Sequence, residues 1–119
     1  MQFDLYRSTD EVNFSYIQSL PPVQTDYLDY DVDVQSTHYF YKILVVNTCD
    51  IAEDLSGVTS TILLKGEMFE DRSVQLNWTR YIGWENGVDY YVIEKLDEMG
   101  NWTILKQVPG STTEFGYQE

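Results

Sequence analysis

Basic side chains are scarce in this chain. Seven Lys and Arg stand against twenty Asp and Glu, for a formal net charge of −13 over 119 residues. A nucleic-acid partner is therefore not expected, because affinity for a phosphate backbone comes from cations that neutralise it. Anionic lipid is disfavoured for the same reason. Cysteine occurs once, at Cys49, which excludes an internal disulfide and a Cys-based zinc site within one chain. Histidine also occurs once, at His38, between Thr37 and Tyr39. A triad or a histidine-metal site would need a serine, a carboxylate or further ligands beside it, so His38 reads as a loop-edge residue without a role. No apolar run reaches the roughly 18 residues of a membrane span, and membrane insertion is not expected. The opening MQFDLYRSTDE is polar and acidic, unlike a signal peptide. Gly-rich phosphate loops, cysteine clusters and nucleophile motifs are missing. The carboxylates are too many for spacing to single out a glycosidase pair. No enzyme activity and no cofactor are expected.

What is abundant is β-forming. Aromatic residues make up 15% of the chain and hydrophobic residues 43%, with ten Tyr and three Trp, a composition that favours strands and supplies a core. FDLYR places Phe3, Leu5 and Arg7 on one face. HYFYKILVVN does the same with Tyr39, Tyr41, Ile43 and Val45, and SVQLNW with Val74, Leu76 and Trp78. No segment carries a capped 3.6-residue period. Short alternating strands about ten residues apart, joined by turns rich in Asp, Glu, Asn and Gly, indicate an all-β sandwich or barrel.

The chain also repeats itself. Phe3 matches Tyr91 at an offset of 88 residues, and the same offset matches Leu5 with Ile93, Arg7 with Lys95, Asn13 with Asn101 and Phe14 with Trp102. It continues through Ile17 and Leu105, Leu20 and Val108, and Pro21 and Pro109, and ends on Thr25–Tyr27 with Thr113–Phe115. Side-chain size and polarity are kept in register over about 25 positions, so the repeating unit is about 88 residues and the chain holds about one and a third of them.

Two strands resemble the fibronectin type III family. SVQLNW (Ser73 to Trp78) is similar to its strand B, whose tryptophan fills the core. YFYKILVVN (Tyr39 to Asn47) is similar to its strand F, which makes Tyr39 the tyrosine-corner residue, its hydroxyl bonded back to backbone. Val45 stands where that family usually has Ala. FDLYRS and YYVIEK resemble strand C, NFSYIQSL and NWTILKQV strand C′, and TDYLD and TTEFG strand E. The resemblance implies an immunoglobulin-like antiparallel sandwich with Trp78, Tyr39, Tyr41, Ile43, Val45 and Leu76 in the core. A narrower resemblance rests on Trp78, Tyr81, Gly83, Trp84, Gly87, Val88, Tyr91 and Ile93. It is to repeats of gliding-motility-associated, type IX-secreted surface proteins of Bacteroidetes, which implies a secreted or outer-surface location.

On this reading residues 1–61 supply strands C to G of one repeat and residues 62–119 supply strands A to E of the next. Neither part completes the other in the ordinary topology, because strand G ends at one pole and strand A starts at the other. A strand of about eight residues spans roughly 26 Å, and STILLKGEM offers no linker of that length. Ile62, Leu63 and Leu64 are better used inside a strand than as a loop. The expected partners are neighbouring repeats and, for this stretch of chain, a second copy joined by half-domain exchange. A single sandwich with G and A merged into one strand is the alternative.

Three motifs suggest sites. Asp29, Asp31 and Asp33 have the 1, 3, 5 spacing of a calcium loop, but Val34 stands where that loop needs Gly and Phe40 where it needs Glu. Trp84 and Tyr81, in the connection between strands B and C, are where an aromatic platform for sugar would lie; the plainer reading folds Trp84 back over the end of the sandwich. Asn13, Asn77 and Asn101 open N-glycosylation patterns that mean nothing in a bacterial protein. The expectation is a structural or adhesion spacer, with a carbohydrate- or protein-binding module as the alternative.

Overall fold

The computed structural model describes residues 1–54 and 57–118. Among these the chain is all-β, with every strand pairing antiparallel. It divides into two compact units: Met1–Leu63 with Tyr81–Gly83, and Leu64–Arg80 with Trp84–Glu119.

The first unit holds β1 (Gln2–Ser8), β2 (Ser15–Leu20), β3 (Phe40–Val46), β4 (Ala52–Asp54) and β5 (Thr59–Ser60). One sheet runs β2-β1-β3-β4, and β5 pairs with the opposite end of β3 from β4. The β1–β2 turn is built around Ser8, which is 3% exposed. Its Oγ accepts the N–H groups of Asp10 and Glu11, while the Asp10 carboxylate accepts those of Val12 and Asn13. These bonds hold Glu11 at φ 67°, a conformation that needs local support in a residue with a Cβ. They also keep the Asp10 carboxyl well below the usual carboxylate range, the Asn13 N–H being the largest cause.

The second unit holds β6 (Leu64–Met68), β7 (Ser73–Trp78), β8 (Tyr90–Leu96), β9 (Trp102–Pro109) and β10 (Glu114–Gln118). A three-stranded sheet runs β10-β7-β6, and β8 and β9 form a separate hairpin. The Trp78 ring on β7 meets Tyr91 on β8 edge-on, with centroids 5.6 Å apart, and Lys95 on β8 lies over the Tyr117 ring of β10. Asp97 closes the β8–β9 turn by accepting the N–H groups of Met99 and Asn101, with Gly100 at φ 87°.

The internal repeat is structural. In β1–β2 Phe3 faces Leu20, Leu5 faces Gln18 and Tyr6 faces Tyr16, with a bulge between Leu5 and Tyr6. In β8–β9 Tyr91 faces Val108, Ile93 faces Lys106 and Glu94 faces Ile104, with a bulge between Ile93 and Glu94. Each pair and the bulge recur 88 positions on. Burial recurs too: Leu5 and Ile93 are both 8% exposed, and Leu20 and Val108 both 7%. A bulge leaves one residue unpaired and bends its strand, so the two hairpins bend at the same place in their register.

Two expectations are corrected. Thr25–Asp29, expected as strand E of the first copy, forms no strand, whereas its counterpart becomes β10. The difference is the partner: β10 pairs along β7, and among its described residues the first unit has no strand in the β7 position. A lone extended segment has no ladder to satisfy its backbone groups. Ile62, Leu63 and Leu64 do not share a strand either. The chain breaks between β5 and β6, Leu63 is buried, and Ile62 and Leu64 are exposed; β5 and β6 belong to different sheets and are not merged.

The core is thin. Of the side chains expected in it, Tyr39 is buried, and Tyr41, Ile43, Val45, Leu76 and Trp78 are half-buried. Among the described residues the other buried hydrophobic side chains are Leu5, Leu20, Phe40, Leu63, Ile93 and Val108, each 7–8% exposed. The Tyr39 hydroxyl accepts the backbone N–H of Asp33 at 3.0 Å, six residues upstream. Asp33 in turn organises the turn before β3, its carbonyl accepting from Ser36 and Thr37 and its carboxylate from Gln35 and Ser36. Tyr39→Phe removes that acceptor from a part-buried N–H and is expected to cost about 1–3 kcal/mol in urea denaturation. An unchanged midpoint would mean that the corner contributes nothing.

Candidate functional site

The first unit carries an open cavity of about 770 Å³. Its apolar floor is Phe3 and Leu5 of β1, Leu20 of β2, and Ile43 and Val45 of β3. Tyr27, Val32 and Val34 reach it from the connection between β2 and β3. Strand alternation explains the floor: Phe3, Leu5 and Arg7 share one face of β1, and Tyr41, Ile43 and Val45 face the same way on β3. The third member of the β1 row is a cation, and it needs a partner.

That partner is Asp29. Arg7 Nη1 donates to Asp29 Oδ2 at 2.8 Å, and the Tyr41 hydroxyl donates to the same oxygen at 2.9 Å. The other carboxylate oxygen accepts the N–H of Asp31. The Asp29 side chain is 11% exposed and that of Arg7 21%. Burial pushes the Asp29 carboxyl up, but the bonds from Arg7 and Tyr41 outweigh it and leave the group below the usual carboxylate range. Burial and then Asp29 push the Tyr41 phenol well above its ordinary value. The guanidinium also sits over the Tyr39 ring, 5.7 Å from its centroid. The cluster acts as a clamp that ties the 29–31 segment to β1 and β3.

Two of the three carboxylates weighed for calcium are engaged elsewhere. Asp29 holds Arg7, and Asp33 caps its own turn. Among the described residues no group of three or more His, Cys, Asp or Glu side chains is placed to hold a metal ion. The His38 ring lies tilted by 49° against Phe40 with centroids 4.4 Å apart, and its Nε2 is buried without a hydrogen-bond partner.

The two aromatics proposed for ligand contact fall in different units. Tyr81 belongs to the first, its hydroxyl 3.5 Å from Thr59 Oγ1, and Trp84 belongs to the second and is 63% exposed. Between them Gly83 has φ 152°, and a Cβ there would lie 2.5 Å from Thr59 Oγ1 and 2.8 Å from the Tyr81 hydroxyl. A side chain at Gly83 would have to displace the Thr59 or Tyr81 hydroxyl, in a backbone conformation that residues with a Cβ rarely adopt. Sequence reasoning missed the Arg7–Asp29–Tyr41 clamp. The available signal was a cation in the inward row of β1, in a chain full of carboxylates. Comparisons with family models, with curated proteins and with solved structures return no match for this chain.

Proposed function

We propose that the chain is a non-catalytic spacer or adhesion module of fibronectin type III-like kind, from a tandem array in a large secreted or outer-surface bacterial protein. The observation that carries this reading is the repetition of one hairpin, with its register, bulge and buried pair, 88 residues apart. A chain that reuses the same hairpin in register fits a tandem array of one module. The strand neighbours support the fibronectin-like type: β2-β1-β3-β4 follows the order C′-C-F-G, and β10-β7-β6 the order E-B-A. The resemblance of the Trp78–Ile93 stretch to Bacteroidetes surface repeats supports the location. The partners of such a module are its neighbouring repeats, with exchange between two copies as the route by which this stretch forms a homo-oligomer. Nucleic acid is not a partner.

The second reading, a carbohydrate- or protein-binding module, is favoured by the 63% exposure of Trp84. Titrating the chain with bacterial and plant polysaccharides while following tryptophan emission separates the two. The spacer reading expects no saturable change. A saturable change that disappears in Trp84→Ala would replace it with the binding reading.

A further inference from the structure

Most of the first unit is one stretch of chain, Met1–Leu63, but Tyr81–Gly83 returns to it from between β7 and β8. The place it returns to is β5. The Ser60 N–H donates to the carbonyl of Ile82 at 2.8 Å, and the Ser60 hydroxyl accepts the Ile82 N–H at 2.8 Å. The Thr59 hydroxyl donates to the same carbonyl at 3.0 Å. Two consecutive residues thus satisfy both main-chain groups of Ile82. The acceptor is itself anchored. Ser60 is 7% exposed and faces Phe40 of β3, and the next residue, Thr61, exchanges two bonds with Tyr39. Without the segment, Ser60 would keep a mostly buried N–H and hydroxyl that have lost these partners, and leaving such groups unmade costs more than the bonds contribute net.

We infer that Tyr81–Gly83 is a fastening strap, by which the β7–β8 connection of one repeat docks on β5 of the repeat before it. The partner of the Tyr-x-Gly element is then the preceding repeat. The inference rests on the tandem-array reading for calling the two units repeats; the docking of the segment within this chain does not depend on it. The bonds use the main chain of residue 82. The demands on sequence therefore fall on 59 and 60, which supply hydroxyls, and on 83, where a Cβ would displace the Thr59 hydroxyl that holds the Ile82 carbonyl. Relative motion is the default for domains joined by a linker alone. Here the chain leaves the first unit after Leu63, re-enters it at Tyr81 and leaves again after Gly83. The strap is a second point of attachment, and it opposes that motion.

The test follows amide hydrogen exchange and NMR relaxation on the full chain. In the wild type the Ser60 and Ile82 amides are expected to exchange about tenfold or more slower than in an unstructured peptide, and one rotational correlation time should describe β1–β3 and β7–β9 alike. Gly83→Val should release both amides while Leu5, Ile43, Leu76 and Ile93 keep their protection, and the correlation times of the two units should shorten and separate. Thr59→Ala combined with Ser60→Ala removes the two hydroxyls without adding bulk. It should free the Ile82 amide and separate the correlation times in the same way, which decides the matter if Gly83→Val loses the protection of either unit. Ser60 and Ile82 amides that exchange at peptide rates in the wild type overturn the inference. So does a common correlation time that survives their release, since the segment would then be bonded without fastening anything. These readouts concern this chain alone, and the tandem-array reading still stands or falls by the polysaccharide titration.

Discussion

Replacing Asp29 with alanine is expected to destabilise the first unit by about 3 kcal/mol, measured by urea denaturation. The substitution strands two groups. Arg7 loses its ion pair at a side chain 21% exposed, and the Tyr41 hydroxyl loses its acceptor. Leaving a charge uncompensated in a mostly buried position costs more than the pair contributes net. Asp29→Asn keeps an acceptor for Tyr41 and loses the charge, so it should fall between wild type and alanine. The pair also makes stability depend on pH. The Asp29 carboxyl lies below its ordinary value of 3.8 in the folded chain. A group depressed on folding contributes stability at pH above its unfolded value, and that contribution is lost as pH falls through the folded one. The thermal midpoint should therefore decline as pH drops below about 4, and Asp29→Asn should flatten the decline. Asp10, through Asn13 above all, and Asp71, through Ser73, are depressed as well, so the slope is reduced and not abolished. A profile identical to wild type would mean that Asp29 has no part in it.

Trp78→Ala is expected to cost about 3–5 kcal/mol, the usual range for removing a large aromatic from a packed site. The ring joins the β10-β7-β6 sheet to the β8–β9 hairpin through its edge-on contact with Tyr91. Its Nε1 is buried without a hydrogen-bond partner. This separates packing from polarity. Trp78→Phe keeps an aromatic against Tyr91 and discards the orphan donor, so it should cost less than about 1.5 kcal/mol. A loss below about 1 kcal/mol for alanine would remove Trp78 from the core of the second unit.

The parts of the fold legible from sequence are those written in side-chain alternation and in self-similarity. Phe3, Leu5 and Arg7 share a face because a strand has a period of two, and the same row returns at Tyr91, Ile93 and Lys95. That was enough to place both hairpins. Thr25–Asp29 could not be read correctly, because its counterpart is a strand only by virtue of β7, and a segment does not encode the presence of its neighbour. Ile62–Leu64 misled for a related reason: three adjacent apolar residues fit a strand, but Leu63 is buried in the first unit while Leu64 opens a strand of the second. The Arg7–Asp29–Tyr41 clamp joins residues 22 and 12 positions apart. No pattern marks which of twenty carboxylates an inward arginine will find. Trp84 and Tyr81 were singled out as neighbours in sequence, and their assignment to different units depends on Ser60 and Thr59 capturing the 81–83 segment.

The shared bulge has a consequence for how such a chain reaches its structure. Hairpins with the same register and the same irregularity offer each strand a second partner during folding, β9 as well as β2 for β1, a trap typical of tandem repeats. The two copies differ at the positions that would decide the matter. Asp4 faces Ser19 and accepts its hydroxyl at 2.7 Å, while Val92 faces Gln107 at the equivalent place. Crossed pairing would set Asp4 against Gln107 and Val92 against Ser19, giving up the short Asp–Ser bond. Divergence between repeats that keep the same shape thus sorts each strand to its own partner.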